Sequence, residues 1–251
     1  EHDPSLAPQP AEEVEHEADV AVLRVELRLV EQMHHRVLRR GLLEQEIRPG
    51  PAEAPHLVGL VVVDREAVAL VKEYIDHSIE MGAEQIVLHG SEPSEESTRI
   101  QRIAHCRESL KELSQYIKGK DVTIAIESLP PNFLGNSSRE ILEIIDGIDD
   151  VAICFDTNHL VPEKPEEFVR AAGKWITTVH ISDFDGVQQK HWMPGRGVID
   201  WPLVIDELVK AGYSGPFMYE AVRREGETHT FRDLKKNYEM LMSGHEGRFS
   251  D

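Results

Sequence analysis

Four short apolar runs in this chain each stop at, or beside, a side chain able to ligate a metal ion: 122–127 (VTIAIE), 151–156 (VAICFD), 177–182 (TTVHIS) and 215–220 (GPFMYE). A continuous apolar run of this length, bounded by polar turn residues, suits a strand buried on both faces of a parallel sheet. Glu127, Asp156 and Glu220 close three of the runs, and His180 stands two residues before the end of another. Carboxyl ends of parallel strands are where α/β folds gather their ligands. The recurrence therefore predicts one repeated strand-and-helix unit whose strand tips share a rim.

Segments between the runs carry apolar residues at helical spacing. Residues 67–81 predict a helix closed by Gly82, and 95–118 a long one with Ile100, Ile103, Leu110, Leu113 and Ile117 inward. Helices are also expected over 138–146, capped by Ser137 or Ser138, over 165–172, from an Asp200 cap with Pro202 in the first turn, and over 230–242. With a further strand at 85–89 ending in His89, five strands alternate with helices after residue 64. Strict alternation implies parallel strands joined by right-handed crossovers. The expected fold is α/β, a (β/α)8 TIM barrel, incomplete or irregular at its N-terminus. Such a barrel needs about 250 residues, which a chain of 251 just supplies.

Three strands are then owed by residues 1–64, which read differently from the rest. They hold no Lys, Thr, Asn, Phe, Tyr or Trp and are crowded with Glu, Arg, His, Pro, Val and Leu. Residues 11–47 fit a long charged helix, Pro49, Pro51 and Pro55 break it, and 57–63 forms a short apolar run. The chain divides accordingly into an anomalous segment, 1–64, and a barrel-like domain, 65–251, that carries the four strand-end donors. Two hypotheses account for the first part: a divergent N-terminal region, or a GC-rich stretch read in a shifted frame. Resequencing across the codons near Val63 separates them, since an uninterrupted frame with related sequence upstream removes the second.

Charge narrows the function classes. The formal net charge is −19, from 46 acidic and 27 basic residues. That field repels phosphate backbones, so nucleic acid is a disfavoured partner. No apolar run is long enough for a membrane span and no secretory leader opens the sequence, which makes a soluble cytoplasmic protein the expectation. Cys106 and Cys154 make no disulfide framework, and Cys154, inside an apolar run, reads as a buried small hydrophobe.

Parallel strands would bring Glu127, Asp156, His180 and Glu220 to one rim. Three carboxylates and one imidazole form a hard, mostly oxygen donor set, suited to Mn²⁺, Mg²⁺ or Co²⁺ and open to Zn²⁺. Without a cation the carboxylates would repel one another in a low-dielectric pocket. Taken singly, each could instead be a strand-end carboxylate bonded to a neighbouring loop amide.

Several phrases occur in an order that resembles the sugar phosphate isomerase/epimerase family, the xylose isomerase-like barrel group that also contains type IV apurinic endonucleases. They are Ile126-Glu127-Ser128, the stretch 155–159 (FDTNH), the stretch 179–183 (VHISD), the stretch 191–201 (HWMPGRGVIDW) and Tyr219-Glu220. The resemblance implies one divalent ion held by Glu127, Asp156, His180 and Glu220, a small-molecule sugar substrate, and Glu127 and Glu220 as the catalytic pair exchanging a proton through an enediolate. It also implies that His89, His159 and His191 line the pocket. Arg196, between Gly195 and Gly197, is read either as reaching a phosphate or carboxylate of the substrate or as a solvated loop arginine. Trp192 and Trp201 are expected to pack the loop. A homo-oligomer is compatible with the group. The endonuclease pattern has Asp where Gln189 stands here. A non-catalytic barrel fragment is the third reading, raised by the odd N-terminal segment.

Overall fold

A computed structural model describes residues 65–93, 95–159, 163–221 and 230–245. The charged helix expected over 11–47, the apolar run 57–63 and the 1–64 segment as a whole lie outside the described residues.

Five strands form one parallel sheet: β1 (Gln85–Leu88), β2 (Thr123–Glu127), β3 (Val151–Asp156), β4 (Ile176–Ile181) and β5 (Phe217–Tyr219). Their spatial order is their sequence order. Helices α1 (Arg65–Glu80), α2 (Arg99–Ile117), α3 (Ser138–Ile145), α4 (Pro165–Ala172), α5 (Trp201–Ala211) and α6 (Phe231–Leu241) alternate with them. A doubly wound sheet reverses its strand order part-way, which sends helices to both faces. No reversal occurs here, so right-handed crossovers keep the helices on one side and turn the other face inward, as in a (β/α)8 barrel.

Side-chain alternation separates two interiors. Ile124, Ile126, Ile153, Phe155, Val179 and Ile181 point to the helices and are at most 1% exposed. Phe155 stacks on Phe168 of α4 at 5.0 Å between centroids. The opposite face bears short or polar side chains, among them Ala125, Ala152, Cys154 and Thr178, ending in Glu127, Asp156 and His180. The apolar drive to fold therefore sits on the helix side, which leaves the inner face available for chemistry.

Local signals place the elements as the sequence predicts. Ser137 caps α3 by accepting from the Glu140 N–H, Asp200 caps α5 through the Leu203 N–H, and Thr230 and Asp233 form a capping box on α6. Gly82, at φ +82°, takes the left-handed turn that stops α1. One expectation fails: Ile100 is 87% exposed. A 3-10 turn over Glu96–Thr98 delays α2, so the inward stripe runs through Arg99, Ile103, Cys106, Leu110, Leu113 and Ile117. Arg99 fills the stripe's first position because its guanidinium finds partners there. It donates to both carboxylate oxygens of Glu140 at 2.6 and 2.8 Å, and to the carbonyls of Phe133 and Pro131 at 2.7 and 3.2 Å. Ile100 gains nothing comparable and faces solvent.

Candidate metal and catalytic centre

Register explains how the rim forms. Glu127 pairs with Cys154, Asp156 pairs with His180, and the Glu220 N–H donates to the Ile181 carbonyl at 3.2 Å just past β5. Since alternate residues share a face, Glu127, Asp156, His180 and Glu220 all project inward at the carboxyl ends of β2 to β5. Their donor atoms lie within 4.8 Å of one another. His180 Nδ1 stands 3.4 Å from Glu127 Oε1, 4.0 Å from Asp156 Oδ2 and 2.9 Å from Glu220 Oε1. Glu127 and Glu220, on β2 and β5, flank Asp156 and His180 on the strands between them.

The donors fit a bound cation. Asp156 is fully buried, and while its Oδ1 accepts from the Asn158 N–H at 2.6 Å, its Oδ2 has no hydrogen-bond partner. His180 Nδ1 is likewise buried and unbonded: Glu220 is near enough at 2.9 Å, but the contact lacks hydrogen-bond alignment. Two buried polar atoms that converge without hydrogen-bond partners cost free energy unless a cation takes them up. Electrostatics agrees. Burial, then the charges of Glu220 and Glu127, push the Asp156 carboxyl well above the ordinary range. Burial also works to raise Glu127, but contact with His180 and His89 outweighs it and holds that group below the usual carboxylate range. Glu220 is lowered in the same way, chiefly by His180 acting against burial. His180 is raised despite burial, by its contacts with Cys154, Glu127 and Glu220. One carboxylate in three thus resists ionising, and a divalent ion relieves that strain.

The predicted histidines surround this set. His89 follows β1 and brings Nε2 to 3.0 Å from Glu127 Oε2. His159 donates from Nδ1 to the Ser128 carbonyl at 2.9 Å, and burial lowers its pKa, so the neutral ring keeps an acceptor at Nε2. Its donor atom groups with those of Asp156 and His191 within 4.8 Å. His191 adopts a left-handed backbone, φ +47°, uncommon for a residue with a Cβ. Arg196 stands exposed on the same loop.

Three residues not singled out in the sequence complete the arrangement. Asn158 accepts from the N–H groups of Lys190 and His191 at 3.1 and 3.2 Å, and its amide nitrogen lies 3.2 Å from His191 Nδ1. Ser128 Oγ accepts from the Asp156 N–H at 2.9 Å, tying the tip of β2 to that of β3. Asp183 is fully buried, and its carboxylate accepts from the N–H groups of Phe184, Gly195 and Ile199 and from Trp201 Nε1, at 2.9 to 3.3 Å. Backbone bonds between Asp183 and Trp192, at 2.7 and 2.8 Å, then fix the residue next to His191. A Cβ on Gly197 would overlap the Phe184 carbonyl and Asp183 Oδ1, so only glycine fits that turn. Trp201 packs as the sequence predicts, 3% exposed.

Comparison with known proteins returns one family model, described as xylose isomerase-like TIM barrel, over residues 57–243. The match starts at the short apolar run 57–63. An uncharacterized protein of Methanocaldococcus jannaschii is 29% identical over 190 residues, 71% of this chain and 62% of that one. The probable endonuclease 4 of Acholeplasma laidlawii is 27% identical over 218 residues, 77% of this chain and 71% of that one. The D-psicose 3-epimerase of Ruminiclostridium cellulolyticum is 25% identical over 152 residues, 56% of this chain and 50% of that one. The chain thus spans between half and about 70% of the length of these relatives. Among solved structures, a D-tagatose 3-epimerase-like protein superposes with a TM-score of 0.65 at 24% identity, covering 77% of this chain and 75% of that one.

Proposed function

Because the chain belongs to the xylose isomerase-like TIM barrel family, we propose that it is a divalent-metal-dependent isomerase or epimerase of a small sugar or sugar derivative. The observation that carries this reading is the flanking of Asp156 and His180 by two carboxylates, Glu127 and Glu220, on one rim. The epimerase among the relatives supports the substrate class.

Glu127, Asp156, His180 and Glu220 would hold one ion, Mn²⁺, Mg²⁺ or Co²⁺ by their oxygen-rich character, with Zn²⁺ also accommodated. When bound, such an ion supplies Lewis-acid polarisation of a substrate carbonyl, which acidifies the adjacent C–H. The proton transfers belong to the chain itself. Glu127 takes or returns a proton on one side of the substrate carbon and Glu220 on the other, through an enediolate. Use of both faces inverts a stereocentre, whereas one carboxylate moving a proton between neighbouring carbons interconverts aldose and ketose. His89 steadies the Glu127 carboxylate, and His159 Nε2 and His191 meet substrate hydroxyls. Residues 65–251 carry this chemistry.

A second reading, an endonuclease 4-like zinc phosphodiesterase, is favoured by that relative and by the donor group of Asp156, His159 and His191. Gln189 and the net charge of −19 oppose it. Metal analysis of the purified protein, followed by incubation with ketoses, aldoses and inositol derivatives in D₂O with Mn²⁺, tests the choice. One ion per chain and deuterium on a substrate carbon support the isomerase. Three zinc ions and incision of abasic DNA, with no exchange on any sugar, overturn it.

A further inference from the structure

We propose that the barrel interior holds a second, deeper ion position, selective for thiophilic cations such as Cd²⁺, built from Cys154, Glu127 and His180. The donor atoms of these three residues lie within 4.8 Å of one another, and the residues are 0%, 4% and 8% exposed. Cys154 is two residues before Asp156 on β3, so it faces the same interior, about 6.6 Å further from the rim by strand rise. Register sets it beside Glu127 on β2 and Thr178 on β4, whose own face continues to His180.

The unbonded atom described at the rim belongs to this set too: His180 Nδ1 is buried and makes no hydrogen bond, and it can serve either position. Neighbouring inward positions carry Ala125 and Thr178, whose short side chains do not reach across the interior as a Leu or Phe would. Two donors on one ion, at about 2.3 Å for sulfur and about 2.1 Å for nitrogen or oxygen, sit at most about 4.4 Å apart. The three donor atoms lie within 4.8 Å of one another, an upper limit close to that span.

The donor sets differ in kind. At the rim, three carboxylates and an imidazole favour hard ions, while the deeper set offers sulfur, nitrogen and one carboxylate and favours soft ones. As the sulfur–metal bond forms, the thiol proton leaves to solvent. Both positions draw on Glu127 and on the single unbonded His180 Nδ1, so ions compete for them, and a thiophilic ion in the lower one weakens the rim. This sharing rests on the proposed rim centre, but the lower donor set is testable without substrate or turnover.

The experiment titrates metal-free protein with Cd²⁺ alone and follows the ultraviolet thiolate-to-metal charge-transfer band. The expected result is a saturable band at one Cd²⁺ per chain, kept in Cys106→Ser, whose sulfur lies in the helix-side core, and lost in Cys154→Ser. Glu220→Gln removes a donor of the rim set alone and should keep the band, while excess Mn²⁺ should compete with Cd²⁺. Absence of the band in the unmodified protein, its survival in Cys154→Ser, its loss in Glu220→Gln, or indifference to Mn²⁺ each overturns the proposal. Should Cys154→Ser fail to fold, cadmium-edge X-ray absorption on the unmodified protein decides: one sulfur neighbour is expected, and a shell of nitrogen and oxygen only refutes the site.

Discussion

Replacing Asp156 with Asn should move two properties in opposite directions. Asn keeps the shape of Asp and an oxygen to accept the Asn158 N–H, which Asp156 Oδ1 meets at 2.6 Å. It replaces the unpartnered Oδ2, which lies 3.7 Å from His159 Nδ1 and 4.0 Å from His180 Nδ1, with an uncharged NH₂. In metal-free protein this removes a buried carboxyl that must hold a proton against its ordinary titration or stay ionised with incomplete partners. An unsatisfied buried polar group costs about 1–3 kcal/mol, and more when charged. Recovering about 2 kcal/mol should raise Tm by about 4–8 °C for a chain of this size. The gain depends on pH. A carboxyl held above its unfolded value keeps a proton in the folded chain that the unfolded chain has already released, so stability falls as pH rises through that interval. Asp156 should therefore subtract stability as pH rises from acid toward neutral, against the gain from the lowered Glu127 and Glu220, and the difference between wild type and Asp156→Asn should widen in favour of the variant over that interval. Metal affinity moves the other way. Losing a hydrogen-bond partner of a ligand costs 10–100-fold, so losing an anionic ligand should cost at least about 100-fold, or about 2.7 kcal/mol. Thermal melts in EDTA across pH, paired with Mn²⁺ titration calorimetry, measure both. Unchanged Mn²⁺ affinity, or a metal-free variant that melts lower than wild type at neutral pH, would refute the reasoning.

Other outcomes follow from the same contacts. Glu127→Gln and Glu220→Gln should each lower deuterium exchange on the true substrate by about 10²-fold or more, the usual contribution of a positioned proton-transfer group, with circular dichroism unchanged; wild-type exchange rates would remove the acid–base assignment. Asp183→Ala strips four N–H donors of their acceptor and should cost at least about 4 kcal/mol, read as a lower urea midpoint, because each buried donor left unpaired costs about 1–3 kcal/mol. Arg99→Ala leaves the Glu140 carboxylate without its bidentate partner and should destabilise by about 3–5 kcal/mol, with Arg99→Lys recovering only part, since lysine lacks the planar fork; full recovery by lysine would show that charge alone suffices.

How far the sequence reaches is clear from particular residues. The run 151–156 becomes β3 and the pattern at 165–172 becomes α4 with the expected bounds, because burial on both faces and Pro at a helix start are local signals. The four rim donors converge because strand ends are legible and parallel order follows from alternation. Ile100 and Arg99 mark where local reading stops. Helical spacing accommodates either residue inward, and the choice was made by Glu140, 41 positions away. Asn158 and Asp183 escape for a related reason: each serves N–H groups on a distant loop, and nothing in a strand-end pattern announces such partners. Cys154 reads correctly as buried, and its place two residues before Asp156 sets it on the inner face, but the sequence does not show that Glu127 and His180 come within reach of its sulfur.

Strand order has a kinetic consequence. Every strand in the sheet pairs with the next one along the chain, so each new contact closes a loop of a single βα unit. Loop-closure entropy then stays small and nearly constant from one unit to the next, a topology that favours rapid accretion over a search among distant partners. A nascent chain leaving the ribosome can add β2 to β1, then β3, and so on. The rim fills in the same succession, Glu127 first and Glu220 last. If the proposed rim centre takes up its cation, the ion rewards the chain most strongly only once β5 has docked, which would make ion binding a late check on assembly of these strands.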